Sequence, residues 1–458
     1  MWSSFWRDET ETYWVVTAGF REISARAQQV PGFSFPYYAL AWLAVKIGGT
    51  SEVVLRVPSI LTMLLTTWLL YRVGNRLTGD EGVGLWAALV FVGMRDVAFA
   101  ACDARPYSLA VLFLTGHILA LLRWLDGGRS RDAIAASVLA ALTAHTQPLL
   151  ALGLIVPALY AWWRTSRRGG LVAQWIAAAL LVMPLVLQQW AMLRQYGMDW
   201  PSSAAVPEMR ELFLFLSPPT MVTCLGAGLL LGYLVVPAMR ACWVPGKAST
   251  LLIVGCATGP TIVCFLISRL SSAQVFLPRY LLSTAPGAAL LAGCVIRAFG
   301  PEKVRRIMAA VMVLLVTGAF AVVYRFHHGG EDWRATMAAV RSTTAGTDTP
   351  VLFSSVFAQS SSPLVFANPN MKDLLRAPTL MYPPGGRVIV LPFKAGSSYL
   401  KMVLEEAASH DRFLLVSDGQ TTSWFRERMA ERHASIEELP SSSGPLVTIF
   451  RPLVPSGR

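Results

Sequence analysis

Apolar runs recur through the first two thirds of the chain, separated by polar breaks too short to form soluble domains. Crossing about 30 Å of hydrocarbon takes roughly 20 residues. Runs near that length fall at about 53–71, 82–101, 106–125, 133–146, 147–163, 171–190, 220–239, 249–268, 280–298 and 307–324. The pattern predicts ten membrane-spanning helices, with 133–163 read as two short ones turning at Thr146-Gln147-Pro148. From about His327 the pattern becomes polar and rich in Ser and Pro. Short β-type runs (Pro350–Val356, Arg387–Pro392, Arg412–Val416, Leu446–Phe450) alternate there with helical periodicity near Asp332–Ser342, Ser398–Ser409 and Thr421–Arg432. Such alternation predicts a small α/β layer. The fold class expected is a polytopic all-α membrane protein with a small C-terminal α/β domain. Its parts are an amphiphilic loop with interfacial helices (1–51), a transmembrane core (52–326) and the α/β domain (327–458).

Composition supports the membrane reading. Of 458 residues, 54% are hydrophobic and 14% charged, and mean hydropathy is +0.50. Soluble domains carry about 25% charged residues, so a soluble enzyme is excluded. A disordered chain is excluded too, since that needs low hydrophobicity and high charge. The net charge of +12 divides unevenly, with 13 Lys/Arg and 12 Asp/Glu after residue 326 and the excess before it. Basic loops beside membrane helices account for that excess, and no nucleic-acid partner is expected. The six cysteines lie in or beside apolar stretches without a CxxC pair, which points to neither a zinc site nor a disulfide framework.

Loop charge orients the chain. One alternating set of loops holds fourteen basic residues, among them Arg72, Arg76, Arg123, Arg129, Arg164, Arg168 and Arg297; the other holds six. The positive-inside rule places the first set in the cytoplasm, so both termini face outward. Ten of the fifteen carboxylates before residue 327 then lie outside, and none sits near the centre of a span. A proton-coupled pump needs ionisable groups at depth and is disfavoured; a carrier of neutral solutes stays open. An outward N-terminus without a preceding span is unusual. With four basic and four acidic side chains up to Ser51 a neutral tail could cross unaided, but the expectation is a translation start farther upstream, with a first span missing from this chain.

The outer side carries the candidate chemistry. Trp6-Arg7-Asp8-Glu9-Thr10-Glu11 places adjacent acids at the membrane surface, which alone reads equally as a solvated helix start. Arg56, Arg105 and Arg279 each stand beside an apolar span, in Leu55-Arg56-Val57-Pro58, Asp103-Ala104-Arg105-Pro106-Tyr107 and Pro278-Arg279-Tyr280. Single arginines there are commonly snorkelling anchors. Three on the acid-rich side fit a phosphate site, because a guanidinium fork matches phosphate oxygens.

The order of these motifs, with Phe35-Pro36-Tyr37-Tyr38 and Thr143-Ala144-His145, resembles family 39 membrane glycosyltransferases over about residues 5–325. That group includes protein O-mannosyltransferases and bacterial aminoarabinose and lipid-A-core sugar transferases. Two departures stand out: the span before the acidic loop is absent, and Phe35-Pro36 replaces a double proline. The resemblance implies a GT-C fold and transfer of a sugar from a polyprenyl phosphate to an acceptor on the outer face. It implies Asp8 as catalytic base with Glu9 as its acidic neighbour, and Arg56, Arg105 and Arg279 near the donor phosphate. Asp103, Tyr107, His145 and Tyr280 would line the same cavity.

The chemistry is consistent with that inventory. Phosphate is already a good leaving group and needs neutralisation rather than a general acid, which preorganised arginines supply. One carboxylate can take the acceptor proton, an effect of ~10²–10⁴-fold. No cofactor is expected to be required; the acidic pair could ligate a divalent metal, but no second acidic cluster indicates one. Expected partners are the polyprenyl-phosphate sugar, membrane lipids and an acceptor that is lipid, glycan or protein. The setting implied is a bacterial inner (plasma) membrane, with site and α/β domain extracytoplasmic. The alternative function is a transporter of a lipid-linked oligosaccharide or small solute, and a noncatalytic scaffold for the C-terminal domain is a third.

Overall fold

Ser51, Asp80 and Asp332 cap helices with their side chains and fix where those helices start. The computed structural model describes residues 3–30, 34–196, 206–216, 245–298, 302–303, 305–307, 331–347, 349–355, 357, 368–391, 405, 409–410, 412–417, 419–429, 433–439 and 445–452. Three short helices, α1 (Arg7–Val16), α2 (Phe20–Gln28) and α3 (Phe35–Gly48), precede the first long one. Helix α4 (Glu52–Thr78) opens on Ser51, whose hydroxyl accepts the Val54 N–H at 3.3 Å. It closes on Gly79 at φ 68°, a left-handed cap that glycine adopts without strain. There follow α5 (Glu81–Gly93), α6 (Arg95–Ala101), α7 (Tyr107–Gly127), α8 (Ser130–Thr146), α9 (Ile155–Arg164), α10 (Arg168–Tyr196), α11 (Met209–Leu216), α12 (Lys247–Leu270) and α13 (Ala285–Ala298). Turns of 3₁₀ helix, Pro148–Leu154 and Pro278–Thr284, lead into α9 and α13.

Five helical units are long and apolar enough to cross a membrane: α4, α7, α10 over Arg168–Ala191, α12, and Pro278–Ala298. Helices α5 and α6 qualify only as a pair bent by 70°, so the span expected at 82–101 is broken at Met94. The turn expected at Thr146-Gln147-Pro148 is present, with Gln147 extended at φ −152°. The units on either side are short: 17 residues in α8, then the apolar stretch Pro148–Arg164. Among the described residues the span count is therefore five, or six with the bent pair. The spans expected at 220–239 and 307–324 lie outside the described residues, apart from residue 307.

Small residues let these helices touch. A Cβ on Gly84 of α5 would lie 2.5 Å from the Tyr71 carbonyl of α4, and one on Gly287 of α13 would lie 2.4 Å from Ala257 N of α12. Close backbone approach of this kind is how helices gain packing in a membrane. Ion pairs of 2.8 Å, Arg76–Asp126 and Arg297–Asp80, join the far ends of α4, α7 and α13. These three helices consequently all begin at the opposite end of the bundle.

The C-terminal part comprises α14 (Trp333–Thr344), β1 (Val351–Ser354), α15 (Pro369–Leu375), α16 (Ala377–Met381), β2 (Val388–Leu391), β3 (Phe413–Ser417), α17 (Gly419–Met429), β4 (His433–Leu439) and β5 (Leu446–Pro452). The sheet order is β2-β1-β3-β5-β4, with β1 parallel to both neighbours and β5 antiparallel to β3 and β4. All four expected strands are present. Edge strand β4, His-Ala-Ser-Ile-Glu-Glu-Leu, is additional; it pairs on one side only and carries too few apolar residues to stand out. The helix expected at Ser398–Ser409 lies largely outside the described residues.

One hydrophobic core unites the two ends of the chain. Phe5, Trp14 and Ile23 of the N-terminal segment are buried with Trp333, Phe353 and Leu374 of the α/β part. The sheet domain therefore stands directly on α1.

Candidate functional site

Helix α1 carries Asp8, Glu9 and Glu11. Successive residues on a helix point about 100° apart, so Asp8 and Glu9 diverge, whereas Asp8 and Glu11, three apart, share a face.

Glu9 points inward. Arg56, at the start of α4, donates from Nε to Glu9 Oε1 at 2.7 Å and from Nη2 to Oε2 at 2.5 Å. The Ala104 N–H adds a bond at 2.9 Å and the Trp6 N–H one at 3.3 Å. The remaining Arg56 donors go to the Ser3 and Ser4 carbonyls at 3.0 and 3.1 Å. Neither charged side chain has accessible surface (0% each). The structure thus turns Arg56 and Glu9 toward each other and apart from the exposed Asp8–Arg279 pair, where the expectation had Arg56 near a phosphate and Glu9 in the chemistry. With every donor engaged inside the protein, Arg56 is a buried strut tying α4 to the start of α1.

Asp8 points outward. Its Oδ2 pairs with Arg279 Nη1 at 3.2 Å, and the side chains are 19% and 40% exposed. Arg105, just before α7, donates from Nη1 to the Asp8 carbonyl at 3.0 Å and pairs with the Glu11 carboxylate. Tyr38 of α3 donates to Glu11 Oε1 at 3.1 Å. Arg105 Nε is buried with no hydrogen-bond partner among the described residues. Arg279 lies over the Tyr280 ring at 5.2 Å, and that ring stands 6.5 Å from Tyr107. Asp8, Arg105, Arg279, Tyr107 and Tyr280 are thus brought together at the end where α4, α7 and Pro278–Ala298 begin. Helix N-termini there add partial positive charge.

Burial pushes the Glu11 carboxyl above its ordinary range, with Arg105 pulling it back only in part. Burial also opposes charge on Arg105, yet the Glu11 carboxylate holds the guanidinium well above its usual pKa. The pair sits beside Asp8, with Arg105 held cationic and burial opposing the charge on Glu11.

The other expected residues divide. Asp103 is buried and accepts the Trp6 indole N–H at 3.0 Å, so it orients the α1 entrance. His145 is held elsewhere: its Nε2 meets the Leu181 carbonyl of α10 at 2.8 Å. That places it on the α8–α10 contact instead of against the Asp8 cluster. Sequence reasoning missed Glu11 and Tyr38 as members of the cluster; the three-residue spacing of Glu11 from Asp8 was the available signal. Among the described residues no three His, Cys, Asp or Glu side chains gather to hold a metal ion.

Comparison with known proteins bears on the fold. Residues 34–192 match the family model described as dolichyl-phosphate-mannose-protein mannosyltransferase. No curated protein matches the chain. Among solved structures, ArnT from Cupriavidus metallidurans in the apo state aligns with a TM-score of 0.55 at 12% identity, covering 98% of this chain and 93% of that one. The same enzyme bound to undecaprenyl phosphate gives 0.52 at 12% identity, covering 96% and 93%. This chain is an integral membrane protein with the GT-C fold, as the motif resemblance implies.

Proposed function

We propose that this chain is an inverting glycosyltransferase that moves a sugar from a polyprenyl-phosphate donor to an acceptor hydroxyl at the extracytoplasmic membrane face. The observation that carries the reading is the outward pairing of Asp8 with Arg279 beside Arg105, at the converging starts of three membrane helices. A carboxylate and two guanidiniums within hydrogen-bond reach are what a displacement from phosphate requires. Arg279, 40% exposed, is reachable by a lipid phosphate, and Arg105, bonded to the Asp8 carbonyl, adds a second positive charge behind it. A donor phosphate that engages Arg279 competes with Asp8 for it and releases the carboxylate.

The freed Asp8 accepts the proton of the acceptor hydroxyl as its oxygen attacks the anomeric carbon. The bond from that carbon to the phosphate oxygen breaks on the opposite face, and the electron pair leaves with the polyprenyl phosphate. Arg105 and Arg279 neutralise the charge that develops there. One base and no covalent intermediate give inversion in a single displacement, unlike the paired-carboxylate retaining route. These residues supply the chemistry without a cofactor. The family description of residues 34–192 and the ArnT fold, seen bound to undecaprenyl phosphate, support a lipid-linked donor.

The test is transfer from undecaprenyl phosphate carrying a radiolabelled hexose or pentose into envelope lipid, glycan and protein fractions, comparing the parent with Asp8→Asn. Labelled product from the parent alone is expected. Equal turnover in both would remove Asp8 as base.

A further inference from the structure

Residues 4–7, which lead into α1, are gripped one after another by distant parts of the chain. The Ser4 carbonyl accepts from Arg56, and its hydroxyl donates to the Glu331 carbonyl at 3.3 Å. The Phe5 N–H donates to the Tyr382 hydroxyl at 2.9 Å, and that hydroxyl donates onward to Glu52 at 2.9 Å. Trp6 is fixed by Glu9 and Asp103. The Arg7 N–H, first amide of α1, donates to Glu331 Oε2 at 3.0 Å.

A helix leaves its first amides without internal partners, and a side-chain oxygen of the preceding residue normally satisfies one. Here that residue is Trp6, whose indole only donates. Glu331, 324 residues away, holds the amide before those that a capping side chain takes, the first one of the helix at Arg7. Glu331 itself is held by the Trp333 indole N–H at 2.8 Å and by the Arg7 guanidinium at 3.6 Å. Trp333 is anchored in the core shared by the α/β domain and the N-terminal segment. A carboxylate at this place also meets the positive end of the α1 dipole.

We infer that the C-terminal domain positions the catalytic helix, with Glu331 as the remote N-cap of α1 and Tyr382 as its second hold. Asp8 is the next residue along from the amide that Glu331 caps. Losing the cap frees the first turn and with it the carboxylate that must meet both Arg279 and an acceptor hydroxyl. Glu331 touches no reacting atom; it is a positioning residue, and its effect belongs in kcat more than in donor binding. This inference rests on Asp8 being the base, as proposed above.

The experiment uses the full chain purified in detergent, with Glu331→Ala, Glu331→Gln, Tyr382→Phe and Asp8→Asn. Two quantities are read: steady-state transfer from the active undecaprenyl-phosphate sugar, and amide hydrogen exchange across residues 3–12. Glu331→Ala should accelerate exchange at the α1 start. It should lower kcat by about 10²-fold, the scale of a 1 Å misplacement, with donor KM little changed. Glu331→Gln keeps an acceptor oxygen and should recover most of kcat, and Tyr382→Phe should show a smaller loss in the same direction. Unchanged exchange in Glu331→Ala overturns the proposal, whatever the activity. So does a fall in thermal stability with full specific activity in the folded fraction. If Asp8→Asn turns over like the parent, the functional reading fails, while the exchange result still judges the cap.

Discussion

Replacing Arg56 by methionine separates two roles for this side chain that the sequence leaves entangled. As a buried strut, its loss strands Glu9 in a site without accessible surface. Breaking a buried pair by removing one partner costs about 3–5 kcal/mol, because the other charge stays uncompensated. Solvent does not screen this pair. Glu9 keeps the Ala104 and Trp6 amides as donors, which favours the lower end, about 3 kcal/mol. The Ser3 and Ser4 carbonyls lose donors in the same step, and the guanidinium contact over the Phe5 ring at 5.2 Å disappears. Equilibrium unfolding in mixed micelles, followed by intrinsic fluorescence, reads the loss directly. Adding Glu9→Gln to Arg56→Met removes the stranded charge and keeps one acceptor oxygen, for the Ala104 or the Trp6 amide. The double variant should therefore be more stable than Arg56→Met alone, a non-additivity expected of contacting residues. Unfolding of Arg56→Met at the parent's denaturant midpoint together with a raised donor KM would mark Arg56 as a phosphate ligand and refute the strut.

Three further outcomes follow from the geometry. Arg279→Ala should lower kcat/KM for the lipid-linked donor by about 10²-fold or more, as loss of a charge-stabilising donor does; Arg279→Lys keeps the charge without the fork and should fall between, and an unaltered rate in the alanine variant rejects the assignment. Burial holds the Glu11 carboxyl above 4.5, so protonation favours the folded chain; that contribution is full below pH 4.5 and is lost as pH rises through the folded value. Glu11→Gln should flatten this decline in unfolding free energy, and a slope equal to the parent's between about pH 4 and 7 contradicts it. Gly287→Ala drives a methyl into the Cys256–Ala257 backbone and should destabilise the α12–α13 contact by about 1–3 kcal/mol, read as a lowered unfolding midpoint; an unchanged midpoint would show that the helices separate without cost.

Much of the architecture was legible because its signals are local. Apolar run length announces a membrane helix, and Ser51 and Gly79 mark the ends of α4 within a few residues of themselves. Loop charge alternates for the same local reason, and the pairs Arg76–Asp126 and Arg297–Asp80 join loops that the charge reading had already placed on one side. The bend at Met94 did leave a local mark, the charged pair Arg95-Asp96 directly after it at the start of α6, which a reading by apolar run length alone passes over.

The site divides along the same line. That acids and arginines meet at one end of the bundle follows from where they stand beside spans. Which carboxylate faces outward does not, because it depends on the phase of a ten-residue helix. Asp8 and Glu9 look equivalent in the sequence, yet a rotation of about 100° sends one to an exposed arginine and the other to a buried one. That phase is set by Arg56 from below and by Glu331 and Tyr382 from above, on segments remote in sequence from α1. The buried pair is therefore as much a part of the site as the exposed one: the Glu9–Arg56 contact turns the helix so that Asp8 can reach Arg279. A variant that weakens the inner pair should accordingly disturb the outer one, even though it removes no group that meets a substrate.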